Sequence, residues 1–483
     1  MPSRRRFLGQ SLAFSSIWAS GRHLFGAGDA NAVEARMRSR DTAPDVLRGA
    51  DSPFTLGVAS GDPWADSVVL WTRLALDPTH GGGMPETPIE VTWQLATDDK
   101  LSKVVKRGRA TATPEWAHSV HVEVSGLEPD HWYWYQFRAG THLSAIGRTR
   151  TLPKPGAKAD QLRFAFACCQ NYEVGYFTAY KAMAAENLDV VFHLGDYLYE
   201  AAPIKDRPRL HVSPELTTLQ DYRDRYAQYA TDPDLQAARA AFPWIVTPDD
   251  HEVANNYASF TSAKNDPVEL FSRRRAAAYH AYYEHQPLRA SSVPKDAFIQ
   301  LYRQFQYGDL AAFFVLDTRQ YRSDQACDDG TKALCEAAVD PTRTMMGDAQ
   351  ERWLFSGLDR SKAAWNLVPQ QVMMGAVDQS GQGDPRYSMD QWSGYPAATR
   401  KVMEFFGTRR PSNPVVLTGD IHSNWVNDLK LDFRSEASPT VATEFVTTSI
   451  TSGGDGQDLP GRMPAVLRKN PFVKFHNNQR GYV

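Results

Sequence analysis

Long apolar runs are missing from this 483-residue chain, and so is any excess of positive charge. A stable membrane-spanning helix needs about 20 consecutive apolar residues. The weakly apolar stretch from Gly9 to Phe25 is interrupted at Arg22 and His23, too short and too polar to qualify. Lysine and arginine number 53 against 56 aspartates and glutamates, so no overall positive field favours nucleic acid or a membrane surface. Cysteine is scarce, with four in the chain. Cys327 and Cys335 bracket the polar segment DDGTKAL, a surface loop that a disulfide could close in an oxidising compartment. Cys168 and Cys169 are adjacent after a buried-looking strand, where a bridge would be strained; one reads as a buried apolar residue or as a thiolate ligand. No internal repeat is found.

What is present fits a large enzyme. Hydrophobic residues make up 42% of the chain and aromatics 11%, enough for two or three domains with substantial cores. Ser3-Arg4-Arg5-Arg6-Phe7-Leu8 matches a twin-arginine export pattern, and Ala30-Asn31-Ala32 supplies a small-x-small cleavage site. Residues 1–32 therefore read as a signal peptide, with the twin-arginine translocase as partner during export and a periplasmic or secreted product. Residues 51–152 contain short alternating strands (SVVLWTRLA, IEVTWQLAT, HSVHVEVSGL, HWYWYQFRA), which predict an antiparallel β-sandwich. Within them, GLEPDHWYWYQF is similar to a fibronectin type III strand region. After a Pro/Gly/Lys linker, residues 160–483 alternate apolar strands with helical stretches, an α/β pattern that places its site at strand carboxyl ends.

Three strand ends in that region concentrate metal-ligating side chains. DVVFHLGDYLYE delivers Asp196 and Tyr199; PWIVTPDDHEVANN delivers Asp249, Asp250, His251, Glu252, Asn255 and Asn256; VVLTGDIHSNWVNDL delivers Asp420 and His422. Each alone is accounted for by a turn or a hydrogen-bonded structural residue. Together, and far apart in sequence, they supply oxygen and imidazole donors for two or more metal ions held over a substrate.

The order of these blocks resembles the calcineurin-like metallophosphoesterase superfamily. Asp250 stands where that pattern has Asn, and Asp420 where it has the first His of the last block. Those departures match the alkaline phosphatase D (PhoD-like) family, whose further marks resemble FAFACCQ, LDTRQYRSDQ, MDQWSGYP and EFVTTSITS here. The resemblance implies a two-sheet α/β/β/α sandwich preceded by a small all-β fibronectin- or immunoglobulin-like domain. It also implies a ferric ion on Cys169, Asp196, Tyr199 and His422, with Asp196 bridging to calcium on Asp250, Asn255 and Asp420, and Asp390 as a further calcium candidate. His251 is implied to meet the phosphate or leaving oxygen, and Arg319 is either a phosphate contact or an ordinary salt bridge. The implied reaction is hydrolysis of phosphomonoesters or phosphodiesters by metal-bound hydroxide. Cys168 and Tyr197 are expected to face away from the site.

Three features depart from the family pattern: Pro248 in place of Trp, Phe472 in place of His, and an end at Val483 where further strands continue, which is expected to weaken a sheet edge. Two other readings follow, a phospholipase-D-like phosphodiesterase on the same scaffold and a non-catalytic exported binding protein. Turnover of a chromogenic phosphomonoester against a diester separates the enzymes. If the export reading is right, changing Arg4 and Arg5 to Lys will keep the charge but leave precursor inside the cell; normal export of that variant in a fractionation assay would refute twin-arginine targeting.

Overall fold

The computed structural model describes residues 47, 51–454, 456–457, 459 and 461–483. The signal segment expected at 1–32 lies outside the described residues. Two large sheets dominate. The first runs in the order Ser119–Ser125, Ser67–Arg73, Val58–Gly61, Pro243–Val246, Val190–His193, Phe164–Ala167. Its last four strands are parallel and its first two join antiparallel. The second runs Arg303–Tyr307, Ala311–Val315, Trp365–Pro369, Pro414–Thr418, Thr440–Val446, Asn424–Lys430, Val473–Asn477, with a parallel centre and antiparallel margins.

Parallel strands buried on both faces need apolar residues at every position, which is why these segments read as continuous apolar runs. The faces still differ. Phe166, Val190, Phe192 and Ile245 of the first sheet share one cluster with Phe313, Val315, Leu367 and Leu417 of the second. The alternate residues Ala165, Val191 and Trp244 instead pack with Tyr180, Met183, Tyr226, Leu235 and Tyr282 from the helices Thr178–Ala184, Leu219–Ala230, Pro233–Ala241 and Val268–His285. Phe314, Val368 and Val416 do the same against Leu354, Leu358, Val402 and Phe406 of helices Gly347–Arg360 and Pro396–Arg409. The sheets thus face each other and wear helices outside.

The N-terminal strands are divided between layers in a way that their alternation does not reveal. Val104–Ala112, Ile89–Ala96, Trp132–Ala139, His142–Leu143 and Gly147–Arg150 form a separate antiparallel sheet. Val91, Leu95, Tyr135 and Phe137 from it pack on Val68, Leu70, Val120 and Val124. Those partners belong to the first large sheet, so the second layer of the expected sandwich is continuous with the strands that carry the site. At the junction Gly61 pairs with Trp244. A Cβ on Gly61 would sit 2.6 Å from the carbonyl oxygens of Trp244 and Pro287.

Cys327 and Cys335 form a disulfide, and Cys168 and Cys169 are buried free thiols. Where a weakened sheet edge was expected, Val483 exchanges both backbone hydrogen bonds with Phe166 of the edge strand, at 2.7 and 3.1 Å. Among the described residues no helix is long and apolar enough to cross a membrane.

His193, at the end of its strand, is 1% exposed, and its Nε2 lacks a hydrogen-bond partner. Burial, with Arg239 nearby, pushes its pKa down to about 3. An unfolded histidine titrates near 6.5, so the native state gains stability from neutral His193 above that pH and loses it as pH falls toward 3, by about 1.4 kcal/mol per pH unit. Thermal melts between pH 7.5 and 5 should therefore show a smaller loss of Tm in His193→Phe than in wild type; equal slopes would show that His193 does not titrate this way.

Candidate active site

Four parallel strands end at one place. Cys169 follows Phe164–Ala167, Asp196 and Tyr199 follow Val190–His193, Asp249 to His251 follow Pro243–Val246, and Asp420 and His422 follow Pro414–Thr418. Cys169, Asp196, Asp420 and His422 have φ of 58°, 54°, 68° and 56°. Non-glycine residues seldom occupy this left-handed region, and it collects at functional sites where surrounding contacts enforce it. The turns here aim four side chains inward at a backbone cost.

Ligand-capable atoms converge in three overlapping groups: Cys169, Asp196 and His422; Asp196, Asp250 and His251; and Asp249, Asp250 and Asp420, each with one donor atom per residue within 4.8 Å of the others. Asp196 and Asp250 each belong to two of the groups. Tyr199 joins the first: its Oη donates to Asp196 Oδ2 at 2.9 Å and lies 3.2 Å from His422 Nε2. Ser452 Oγ lies 2.5 Å from the same phenol oxygen.

The framework that fixes these residues is largely carboxylate. Glu252, 1% exposed, accepts from the backbone N–H groups of Asp196 (3.1 Å), Tyr197 (2.6 Å) and Asp249 (2.9 Å), locking two turns together. Gly195, at φ 109°, permits the contact, since a Cβ there would lie 2.3 Å from that of Asp249. His251 Nδ1 lies 2.6 Å from Glu200 Oε2, and Glu200 Oε1 accepts from Asn255 N at 2.7 Å. Although burial opposes it, Glu200, Asp250 and Asp196 hold the His251 pKa well above the usual imidazole value.

Arg319 is no ordinary salt-bridge partner. Its guanidinium is wholly buried, bonded through Nε to Asp249, through Nη1 to Asp390 at 2.8 Å, and through Nη2 to Asp420 at 3.4 Å, with Asp250 3.8 Å away. It is a counter-charge within the acidic cluster rather than an arm extended to solvent. Asp390 is placed by the same contacts: its Oδ1 accepts from Arg319, Arg322 and Gln325, and it joins none of the three groups. Asn255 is exposed and contributes its backbone N–H to Glu200, whereas the neighbouring Asn256 donates its N–H to Asp250 Oδ2 at 2.6 Å. Tyr197 turns into the helical layer and accepts from Arg239 at 2.9 Å. Cys168 does not turn away: its sulfur lies 3.1 Å from that of Cys169.

The electrostatics of the cluster call for added cations. Burial pushes Cys169, Asp196, Tyr199 and Asp249 well above their ordinary pKa values, with neighbouring anions adding to the shift for each. Asp420 is raised to about 6, chiefly by burial, with Asp390 and Asp250 adding to it against Arg319. Asp196 Oδ1 and Asp249 Oδ2 are buried with no hydrogen-bond partner. Unsatisfied buried carboxylate oxygens are costly unless a cation faces them. Soft sulfur, phenol and imidazole on one side suit a transition metal; carboxylates on the other suit a hard divalent ion.

Comparison with known proteins agrees with this geometry. Residues 164–483 match the PhoD-like phosphatase family and residues 41–153 its N-terminal domain. The chain belongs to the PhoD-like phosphatase family. It is 53% identical over 436 residues to alkaline phosphatase D of Bacillus subtilis (strain 168), covering 89% of this chain and 75% of that protein. A solved structure described as the structure of PhoD superposes with a TM-score of 0.88 at 53% identity, covering 90% of this chain and 84% of that one.

Glu200 and Gln391, which donates to Asp420 Oδ2, were not singled out by sequence reasoning, and Glu252 was read there only as one more metal-capable donor at its strand end. Glu252 supports the site without belonging to any metal-capable group. Glu252→Gln keeps one acceptor oxygen and strands at least one buried N–H, at about 1–3 kcal/mol. Its melting temperature should fall and its metal content with it, measured by calorimetry and elemental analysis; wild-type values for both would remove Glu252 from this role.

Proposed function

We propose that this protein is an exported, metal-dependent phosphoesterase whose site holds iron and calcium. Family membership gives the reaction class, hydrolysis of a phosphoric ester. The fold assignment that accompanies this reading is the two-sheet metallophosphoesterase sandwich behind a small β domain, supported by helices outside two facing sheets. The disulfide agrees with export.

The observation that carries the metal reading is the Asp196 carboxylate. One of its oxygens is bonded to Tyr199 and the other is buried and unpartnered, and it stands between the sulfur-imidazole group and the Asp250 group. On this reading Cys169, Asp196, Tyr199 and His422 would hold a ferric ion, and Asp196, Asp249, Asp250 and Asp420 would hold calcium, with Asn255 and Asp390 at its margin. When bound, the cations would supply Lewis acidity, neutralising phosphate oxygens and making a water more acidic. The chain supplies the rest. His251, held at Nδ1 by Glu200, is placed to meet the phosphate or the leaving oxygen. Glu200 fixes Nδ1, so Nε2 is the nitrogen free to face substrate. Arg319 preorganises Asp249, Asp390 and Asp420 through one bond from each of its three nitrogens, and its remaining N–H groups leave a phosphate contact open to it. The reading takes in phosphomonoesters and phosphodiesters, a phospholipid-like diester among them.

Cys169→Ala and Asp196→Asn should each abolish hydrolysis of a chromogenic phosphoester, through different losses. The first should deplete iron and spare much of the calcium, and the second should disturb both, as read by elemental analysis of protein from its exporting host. The native enzyme should absorb visible light through phenolate-to-iron charge transfer, and Tyr199→Phe should bleach or shift the band. An iron-free, colourless, fully active enzyme would show the metal assignment to be wrong, and full activity in Asp196→Asn would remove the bridging carboxylate from the mechanism.

A further inference from the structure

The loop closed by Cys327 and Cys335 has no part in the chemistry above, yet its backbone is the most unusual near the site. Cys327, Asp328, Asp329 and Gly330 follow one another at φ 57°, 61°, 54° and 72°. Non-glycine L residues visit this region singly and not in runs, because Cβ crowds the following carbonyl. Three of the four carry a Cβ. Such a stretch persists only where other contacts impose it.

Those contacts are specific. The disulfide ties the first residue to Cys335, Met389 N donates to Gly330 O at 2.9 Å, and Thr331 pairs with Ser388. What the turn presents is the Asp329 carboxylate. Its Oδ2 accepts from Asn256 Nδ2 at 2.7 Å, while its Oδ1 is buried without a partner. Asn256 in turn gives its backbone N–H to Asp250 Oδ2 at 2.6 Å. From the base of the same loop, Gln325 Nε2 reaches Asn256 O at 2.8 Å and Asp390 Oδ1 at 2.6 Å. The loop is therefore joined to the acidic cluster twice, and Asp329 itself belongs to none of the metal-capable groups.

We propose that Asp329 is a positioning residue for the calcium side of the site, and that the Cys327–Cys335 bridge keeps it there. The proposal rests on the calcium reading given above. Asp329 fixes the Asn256 side chain and through it the N–H aimed at Asp250. Opening the bridge, which takes two electrons and two protons from a dithiol that closes to its own disulfide, releases the left-handed turn and with it Asp329. Calcium affinity is thereby tied to an oxidising environment, while the Cys169, Asp196, Tyr199 and His422 group is untouched.

Glycine separates strain from function. Asp329→Gly removes the carboxylate but favours the observed φ, so a merely structural residue would be left as stable or more so. Holoenzyme is challenged with rising concentrations of a calcium chelator while calcium release, Tm and the visible band are followed. Asp329→Gly and Cys327→Ser/Cys335→Ser should release calcium at about tenfold lower chelator, in the range for residues that orient metal ligands. The visible band and iron content should not change, and neither should Tm before chelation in Asp329→Gly. Asp328→Asn, an exposed neighbour, should match wild type, and wild type reduced with dithiothreitol should release calcium at the same chelator concentration as the serine pair, which covers failure of that variant to fold; the visible band is read in the unreduced proteins, because the dithiol also reduces ferric iron. Calcium retention in Asp329→Gly equal to wild type overturns the proposal and leaves the calcium reading standing; a wild-type holoenzyme without calcium overturns both.

Discussion

Like charges held away from water set the terms for this molecule. Asp196, Asp249, Asp250, Asp390 and Asp420 are all buried or nearly so at one end of two facing sheets. Arg319, Arg322 and His251 oppose them, and both arginines spend donors on Asp390. Repulsion and desolvation together would disperse such a set or protonate it. The structure answers with fixed donors where they fit, and leaves one oxygen of Asp196 and one of Asp249 without a hydrogen-bond partner.

Holding that arrangement requires stiff surroundings. Left-handed conformations at Cys169, Asp196, Asp420 and His422 would relax if their turns were free. Each turn instead follows a strand buried on both faces, and Glu252 clamps the Asp196 turn to the one after Pro243–Val246 through three backbone hydrogen bonds. The same logic explains why Glu252 is buried without a cation partner. A carboxylate that accepts three N–H donors is satisfied by dipoles, although its burial still raises its pKa to about 7.

The parts legible in the sequence were local ones. An apolar strand followed by Gly-Asp or Asp-Asp-His-Glu announces a ligand-bearing turn, because strand, turn and ligand lie within a dozen residues, and the segments around Cys169, Asp196, Asp250 and His422 do converge. The roles that could not be read depend on contacts between distant segments. Glu200 became an orienting residue only when His251, 51 positions away, packed against it. Asn255 and Asn256 are indistinguishable as letters, and which one faces Asp250 is decided by the turn between them. Cys168 was expected to face away from the site on an alternating strand, but the left-handed φ at Cys169 breaks that alternation and brings the two sulfurs together.

The N-terminal strands show the same limit on a larger scale. Their alternation marks a half-buried antiparallel sheet, and that is correct for each strand taken alone. Alternation says nothing about which sheet a strand joins. Val58–Gly61 lies parallel to Pro243–Val246, the strand that ends in Asp249 and Asp250. Gly61 leaves no room for a side chain at that contact, and Arg303 crosses it, bonding Asp62 at 2.7 Å and the carbonyl of Val246 at 2.9 Å. Without its N-terminal neighbour, Pro243–Val246 would be an edge strand with one row of backbone groups unpaired. The strand that feeds the densest part of the acidic cluster is thus interior only because the N-terminal segment is there, which makes the small β region part of the support for the site.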